Sequence, residues 1–403
     1  MLSKPLEGVR VVDFSIYGAG PAGARVMAEW GADVIKVEQL GGEVNRYIDG
    51  NLNIPKGNGT GPAWELWHGN KRCLNVNIKT PEGRELMDKL IATADVFHSN
   101  MRLKALVKLG LDYETLSAKY PRLIWSHISG YGNLGPDKDA PGYDTVAYWT
   151  RGGKLIDFPE ADTSPMIPPL GNADLEMGPI IAGAVAASLY QRTRTGKGEK
   201  IQASLYGLSV WSLGTMFLGT QGGVAKFPRS RKTAAPLGNT YRCKDGEWVM
   251  LMILDWKQFP VAMKLFGLEK NIGDPRFENA DTTYIHAKEL VAEIDEVMLQ
   301  RTCAEWCELF KENEIPYAPL THIKDIINDE QAKANHYIYP YDTPFGQFWL
   351  PAPPVQMGDC ADPHHTRPAP LVGEHTKEIM LELGYSEEEI QRMDEQKIVE
   401  VLK

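Results

Sequence analysis

Long apolar runs are missing from this chain of 403 residues. Its longest apolar stretch, residues 178–190, is too short and too rich in Ala and Gly to span a bilayer, so no membrane partner is expected. No extended apolar core follows Met1-Leu2-Ser3-Lys4-Pro5, and no signal peptide is predicted. A basic excess is missing too. Lys and Arg number 43 against 53 Asp and Glu, for a net charge of -10. That balance argues against nucleic acid or an anionic membrane as partner, and an anionic ligand would need a local basic patch. Cysteine is scarce. The five present are an odd number without paired spacing, as expected of reduced thiols in a cytoplasmic protein. Cys303 and Cys307, four apart in a helical pattern, read as one packed helix face, and no metal site is expected. Repeats and low-complexity tracts are also absent.

What is present is enough apolar residue, 43%, for a large core, and a length that suits two or three domains. The first 150 residues alternate short apolar runs with helical ones, the pattern of parallel β-α units. Strands are predicted at 9–14, 34–37, 96–98 and 123–128. Thr80-Pro81-Glu82 reads as a helix start, with Thr as N-cap and Pro at the first helical position. A long apolar helix is predicted from about Gly178 to the glycine stop at Thr195-Gly196-Lys197-Gly198. A strand-like segment at 200–205 and a further apolar helix follow. The texture changes at Gln221. Segments 240–244 and 247–253 read as a hairpin turning at Asp245-Gly246. Helical segments to about 313 and a short strand at 316–319 complete an α+β unit. Residues 340–354, dense in Pro and aromatics, read as a return linker. The last 30 are helical, with Ser386 and Glu389 spaced as a capping box.

Two constellations could carry chemistry. Gly18-Ala19-Gly20-Pro21-Ala22-Gly23 lies between two strand candidates, with Glu38 about 20 residues on. Taken alone this is a dinucleotide fingerprint, in which glycines admit a pyrophosphate and the acid receives a ribose hydroxyl. A flavin- or nicotinamide-dependent oxidoreductase follows from that reading, although the fingerprint's helix is short and no second nucleotide signature appears. The other is Gly171-Asn172-Ala173-Asp174-Leu175-Glu176-Met177-Gly178. Asp174 sits four residues before the helix-opening glycine, where the helix field should favour the ionised carboxylate that a nucleophile requires. The plain alternative is that Asp174 caps the helix. Glu176 is the rival carboxylate.

Over essentially its whole length the chain resembles the family III CoA-transferases, the group of formyl-CoA transferase and carnitine CoA-transferase. The resemblance rests on the order and spacing of short segments. These include Ala19-Gly20-Pro21-Ala22, Trp30-Gly31-Ala32-Asp33-Val34-Ile35-Lys36-Val37-Glu38, Lys79-Thr80-Pro81-Glu82-Gly83, Ser129-Gly130-Tyr131-Gly132, Thr195-Gly196-Lys197-Gly198 and Ala369-Pro370-Leu371-Val372-Gly373-Glu374-His375-Thr376. The family's nucleophile is an aspartate four residues before a glycine that precedes the T-G-[KR]-G turn by 17. Gly178 precedes Thr195 by that interval, so the resemblance assigns the nucleophile to Asp174, although the usual Leu-Gly-Asp reads Leu170-Gly171-Asn172 here.

The resemblance also implies that the first βα turn lies against coenzyme A rather than a dinucleotide. Its coenzyme contacts map onto Gly18, Ala19, Gln39, Val76, Lys79, Asn100, Met101, Arg102, Lys108 and Tyr131. The implied fold is α/β. A Rossmann-like large domain of parallel β-α units is built from both chain ends, at 1–220 and 335–403, around a smaller α+β domain at 225–330. An interlocked homodimer is implied as well. The implied activity is transfer of CoA from an acyl-CoA to a carboxylic acid through an aspartyl intermediate, with the coenzyme as substrate and no prosthetic group. Gly18, where formyl-CoA transferase has glutamine, and the lack of a tetraglycine loop argue against oxalate and formate. The runs at 104–114, 135–139 and 151–153 are closest to members acting on 2-hydroxy acids such as aryl-lactate and 2-hydroxyisocaproate. Tyr17, Tyr47, Trp64, Trp67 and Trp149 are candidates for an apolar acyl pocket. Acyl-CoA racemases share the fold but read Gly-His-Asp where this chain has Gly142-Tyr143-Asp144, and tyrosine suits their proton exchange poorly. A CoA-binding regulatory protein is a further alternative, which the intact aspartate disfavours.

Overall fold

Strands and helices alternate through the first two hundred residues. In chain order they are β1 (Arg10–Phe14), α1 (Ala19–Glu29), β2 (Asp33–Glu38), α2 (Pro62–His68), β3 (Arg72–Val76), α3 (Pro81–Ala92), β4 (Val96–Ser99), α4 (Leu103–Leu109), α5 (Tyr113–Lys119) and β5 (Ile124–Ser129). The short α6 (Lys154–Asp157), α7 (Asn172–Thr195), β6 (Lys200–Ser204) and α8 (Leu205–Ser212) follow. This computed structural model describes residues 4–52, 54, 61–223, 227–343, 346–357 and 367–402.

A helical crossover returns the chain to the same end of the sheet, so successive strands pair in parallel. The seven-stranded sheet runs Val399–Glu400, β3, β2, β1, β4, β5, β6, and only the C-terminal strand is antiparallel. Strand order reverses at β1, which has β2 on one side and β4 on the other. Connections leaving such a point diverge to opposite faces and open a crevice beyond the strands' carboxyl ends. Val12, Ile35, Leu74, Phe97 and Trp125 form the core of the sheet with Leu86 and Leu90 of α3 and Ile379 and Met380 of a C-terminal helix. Each such side chain contributes roughly 1.5–3 kcal/mol when removed from water.

The chain divides into two compact units: Met1–Gly152, Pro168–Phe217 and Asp329–Lys403 form one, and Gly153–Ile167 with Leu218–Asn328 the other. Residues 153–167 thus group with the second unit, a division the sequence did not announce. Within that unit the Ser230 hydroxyl and the Arg231 amide both donate to Glu160. Its sheet is β7 (Thr240–Arg242), β8 (Trp248–Leu251) and β9 (Tyr317–Pro319), antiparallel throughout. Gly246, at a φ of 90°, makes the first turn. Cys303 and Cys307 share the face of helix Cys303–Glu312 with buried Trp306 and Phe310, and their sulfurs lie 4.0 Å apart. Burial, with Cys303 beside it, pushes the Cys307 thiol up to about 12.

Four elements differ from the sequence reading, one of them the strand Val399–Glu400 in a C-terminal stretch read as helical throughout. α7 starts at Asn172 rather than near Gly178 and carries Pro179 inside it. β3 was not singled out, because Arg72-Cys73-Leu74-Asn75-Val76 has no clean apolar run. Residues 340–354 are no plain linker: β10 (Ile338–Thr343) and β11 (Gly346–Pro351) form a hairpin. Its prolines are tolerated because each strand pairs on one side only. Among the described residues no helix is long and apolar enough to cross a membrane.

Candidate functional site

The turn after β1 is held from three sides. The buried Lys36 ammonium donates to the Ser15 carbonyl and pairs with Glu43 at 3.2 Å. The Asn100 side chain accepts from the Ile16 amide at 2.8 Å and donates to the Ile16 carbonyl at 2.7 Å. Asn45 donates to the Tyr17 carbonyl at 2.9 Å. Beneath the turn, Lys71 pairs with Asp13 at 2.9 Å. Burial would raise the Asp13 carboxyl, but Lys71 and Lys36 overrule it and hold it down at about 2.

This braced turn delivers Gly18, and the reason for glycine there is contact. A Cβ at position 18 would lie 2.1 Å from Oδ2 of Asp174. At Gly20 it would lie 2.3 Å from the Ser15 side chain, and at Gly23 2.9 Å from Ile181 of α7. The three fingerprint glycines therefore admit a carboxyl, the turn itself and a crossing helix. Glu38, the fingerprint's acid, is buried in an ion pair with Arg46 at 2.8 Å. It is committed, which removes the ribose acceptor that a dinucleotide reading needs.

Asp174 occupies the first turn of α7, whose N-cap is Gly171 at a φ of 73° with no side chain capping it. The positive end of that helix is taken by another residue. Buried Asp144 faces the amides of Gly171, Asn172 and Ala173. Burial raises the Asp144 carboxyl and these amides counter it only in part. Asp174 is pushed up to about 7, first by burial and then by the charge of Asp144. The expected bias of the helix field toward the ionised form is thus reversed: desolvation and a like charge win over the dipole. Nor is Asp174 a mere cap, since among the described residues it makes no side-chain hydrogen bond. The rival Glu176 accepts from the Tyr148 hydroxyl at 2.8 Å and from Asn172 at 3.1 Å, outside the cavity walls.

Asp174 opens into a cavity of about 430 Å³ whose walls include Gly18, Ala19, Asn100, Met101 and Arg102. A second cavity of about 500 Å³ is walled by Gln39, Val76 and Lys79. Ile16, Tyr17 and Met101 border both, so the two form one trench across the carboxyl ends of β3, β2, β1 and β4. Eight of the ten coenzyme positions named from the sequence line it. Lys108 is exposed on α4 outside these walls, and the Tyr131 ring lies under the Arg151 guanidinium, 5.1 Å from its centroid. Asn100 lines the cavity, but its amide is spent on bracing Ile16.

Lys138 and Tyr143 line the Asp174 cavity from the loop after β5; the sequence reading noted them only within the 135–139 run and as the tyrosine in place of a racemase histidine, and gave neither a site role. No periodicity marks such a loop, so nothing local in the string sets either side chain against Asp174. Arg102, Lys138 and Lys79 have no ion pair among the described residues, a local basic rim in an acidic chain. Of the five aromatics considered for an acyl pocket, Tyr17 alone lines the Asp174 cavity. Trp64 is core, with the Arg46 guanidinium 4.0 Å from its centroid and His68 stacked at 3.6 Å. Trp67 and Trp149 are buried.

Residues 6–376 match the family described as CoA-transferase family III. The chain is 37% identical over 397 residues to (R)-2-hydroxy-4-methylpentanoate CoA-transferase of Clostridioides difficile, across 98% of this chain and 99% of that protein. It is 34% identical over 405 residues to cinnamoyl-CoA:phenyllactate CoA-transferase of Clostridium sporogenes, across 98% of each. Among solved structures, a hypothetical protein of Mycobacterium tuberculosis superposes with a TM-score of 0.80 at 26% identity, covering 93% of this chain and 99% of that one. A CAIB/BAIF family protein of Brucella suis gives 0.77 at 27% identity, covering 95% and 100%.

Proposed function

The chain belongs to CoA-transferase family III, and on that footing we propose that it moves CoA between an acyl-CoA and a free acid through a covalent intermediate on Asp174. The observation that carries this reading is the Asp174 carboxyl, pressed against Gly18 in the cavity beyond the carboxyl ends of β1 and β4. A carboxyl pushed up to about 7 gives, once ionised, a more basic and less hydrated nucleophile than an ordinary aspartate.

The bonds balance over four steps. An Asp174 oxygen attacks the donor thioester carbonyl, and the C–S bond breaks to leave a mixed anhydride and CoA thiolate. The thiolate attacks the aspartyl carbonyl and expels the donor acid as its carboxylate. The acceptor carboxylate then attacks this aspartyl thioester and displaces the thiolate. Finally the thiolate takes the acyl group from the new anhydride and frees Asp174. Every intermediate keeps the activation of the original thioester, and the half-buried setting of Asp174 limits its loss to water. α1 begins after Gly18 with no side chain capping it, which leaves its first amides for the tetrahedral oxyanion. The unpaired Arg102, Lys138 and Lys79 suit the coenzyme's phosphates and an incoming carboxylate.

The acid is a 2-hydroxy acid with an aryl or branched alkyl side chain. Support comes from two relatives named for 2-hydroxy-4-methylpentanoate and phenyllactate. Purified protein incubated with a panel of acyl-CoA donors and acids, followed by mass spectrometry, should show CoA moving onto such acids. No exchange with any pair would end the reading.

Only the ionised carboxyl attacks, so kcat/KM is expected to rise with pH through about 7. Asp144→Asn removes the neighbouring charge and should move that acid limb to lower pH. A limb that stays in place in the variant would show that Asp174 does not set it.

The working form is a homodimer. Trp211 is 83% exposed and Tyr190 68% exposed, which leaves two large aromatics in water near the ends of α8 and α7. Light scattering should give twice the 44.9 kDa chain mass, and Trp211→Glu should shift the population toward the single chain. A monomer at working concentration would refute it.

A further inference from the structure

The first turn of α7 carries Asp174 but does not cap itself, since Gly171 at its start offers no side chain. What holds it comes from elsewhere in the chain. Immediately after Asp144 the backbone forms a π-helical turn, Thr145–Thr150. The Arg151 amide donates to the Val146 carbonyl five residues back, and the Thr150 hydroxyl to the Thr145 carbonyl at 2.8 Å. Such turns are rare and cluster at functional sites.

Both ends of the turn are pinned by close packing. Ahead of it, a Cβ on Gly130 would lie 2.6 Å from the Gly142 Cα. Behind it, a Cβ on Gly152 would run into the Ser209 hydroxyl of α8 and the Tyr148 carbonyl, to which Ser209 donates at 2.7 Å. Two side chains then reach from the turn to α7. Buried Asp144 turns its carboxyl toward the amides of residues 171–173, and its Oδ2 has no hydrogen-bond partner among the described residues. A buried oxygen left so costs stability, which points to a task beyond holding the fold together. The Tyr148 hydroxyl donates to Oε2 of Glu176 at 2.8 Å, and Asn172 donates to Oε1 at 3.1 Å. Residues 172 and 176 flank Asp174 on the helix, so this bridge brackets it. Burial pushes the Tyr148 hydroxyl up to about 12, and it stays a donor at working pH.

We infer that Asp144 and Tyr148 are positioning residues: from the π-helical turn they fix the first turn of α7, and so the line along which Asp174 meets a thioester carbonyl. This rests on Asp174 as the seat of acyl transfer. Neither residue lines the Asp174 cavity, so each acts through α7 rather than on the substrate. A shift of about an ångström in a reacting group costs on the order of 10²-fold in rate.

The test is kcat and KM for acyl-CoA on the plateau above the acid limb, together with the limb itself. Tyr148→Phe keeps the ring and removes the bridge. It should lower kcat roughly three- to tenfold, with KM within about twofold of wild type and the limb in place. Asp144→Ala should lower plateau kcat roughly ten- to hundredfold at similar KM. Asp144→Asn still presents an oxygen to the α7 amides, so its plateau kcat should recover to within about threefold of wild type. A role in stability alone would lower the melting temperature without this split or this rescue. Tyr148→Phe with wild-type kcat, a loss that appears in KM instead, or Asp144→Asn as impaired as Asp144→Ala overturns the inference. If Asp144→Ala does not fold, Tyr148→Phe and Asp144→Asn measured against wild type decide it. Exchange retained by Asp174→Ala overturns the Asp174 reading instead, and the positioning with it.

Discussion

Asp174→Ala should lower CoA exchange on the order of 10⁴-fold or more, the scale expected when a covalent nucleophile is removed from an otherwise intact site. The fold should not suffer. Asp174 makes no side-chain hydrogen bond among the described residues, and its raised carboxyl marks a group that is costly to keep ionised in its half-buried place. The sign follows from the direction of the shift. An acid whose folded value lies above its unfolded value weakens the fold progressively as pH rises between the two, so the alanine variant should melt no lower than wild type at pH 8. Hydroxylamine added with acyl-CoA should label the peptide spanning 171–178 in wild type and leave the variant unlabelled. Full exchange by a variant without this carboxyl would refute the covalent route.

Gly18→Ala should also be damaging, though less so, and for a different reason. The added methyl would sit 2.1 Å from Oδ2 of Asp174, well inside contact distance. Asp174 can turn aside, so folding survives, but its carboxyl is then displaced from the line of attack. A displacement of this size costs on the order of 10²-fold in rate. The expected result is a folded protein with kcat at least a hundredfold down and thermal melting close to wild type. An alanine variant with normal kcat would show that the contact at Gly18 is not part of the working geometry.

The parallel framework was legible because its signals are local. Runs at 9–14, 34–37, 96–98 and 123–128 correspond to β1, β2, β4 and β5, and Thr80 accepts from the Gly83 amide as the N-cap of α3. Ser386 and Glu389 form the capping box their spacing announced. What escaped was set by distant partners. The start of α7 was placed too late because its N-terminal amides face Asp144, about 30 residues away, and Gly178 looked like the natural opening. For the same reason the electrostatic sign at Asp174 was unreadable: the dipole is visible in a string, but the like charge beside it is not. The glycine fingerprint was found easily, but the close contacts that require glycine were not legible, since the atoms its glycines admit belong to α7 and to the turn itself. Pairing of the β10–β11 hairpin was hidden by prolines that normally exclude strands.

The divergence of connections on either side of β1 has a consequence for the ancestry of such proteins. The trench is created by the order in which strands are threaded, before any side chain is chosen, whereas Tyr17, Lys138 and Tyr143 sit on loops that contribute no rung to the sheet. Duplicated copies can therefore change the residues that face the cavity while the scaffold beneath them remains under its own, separate selection.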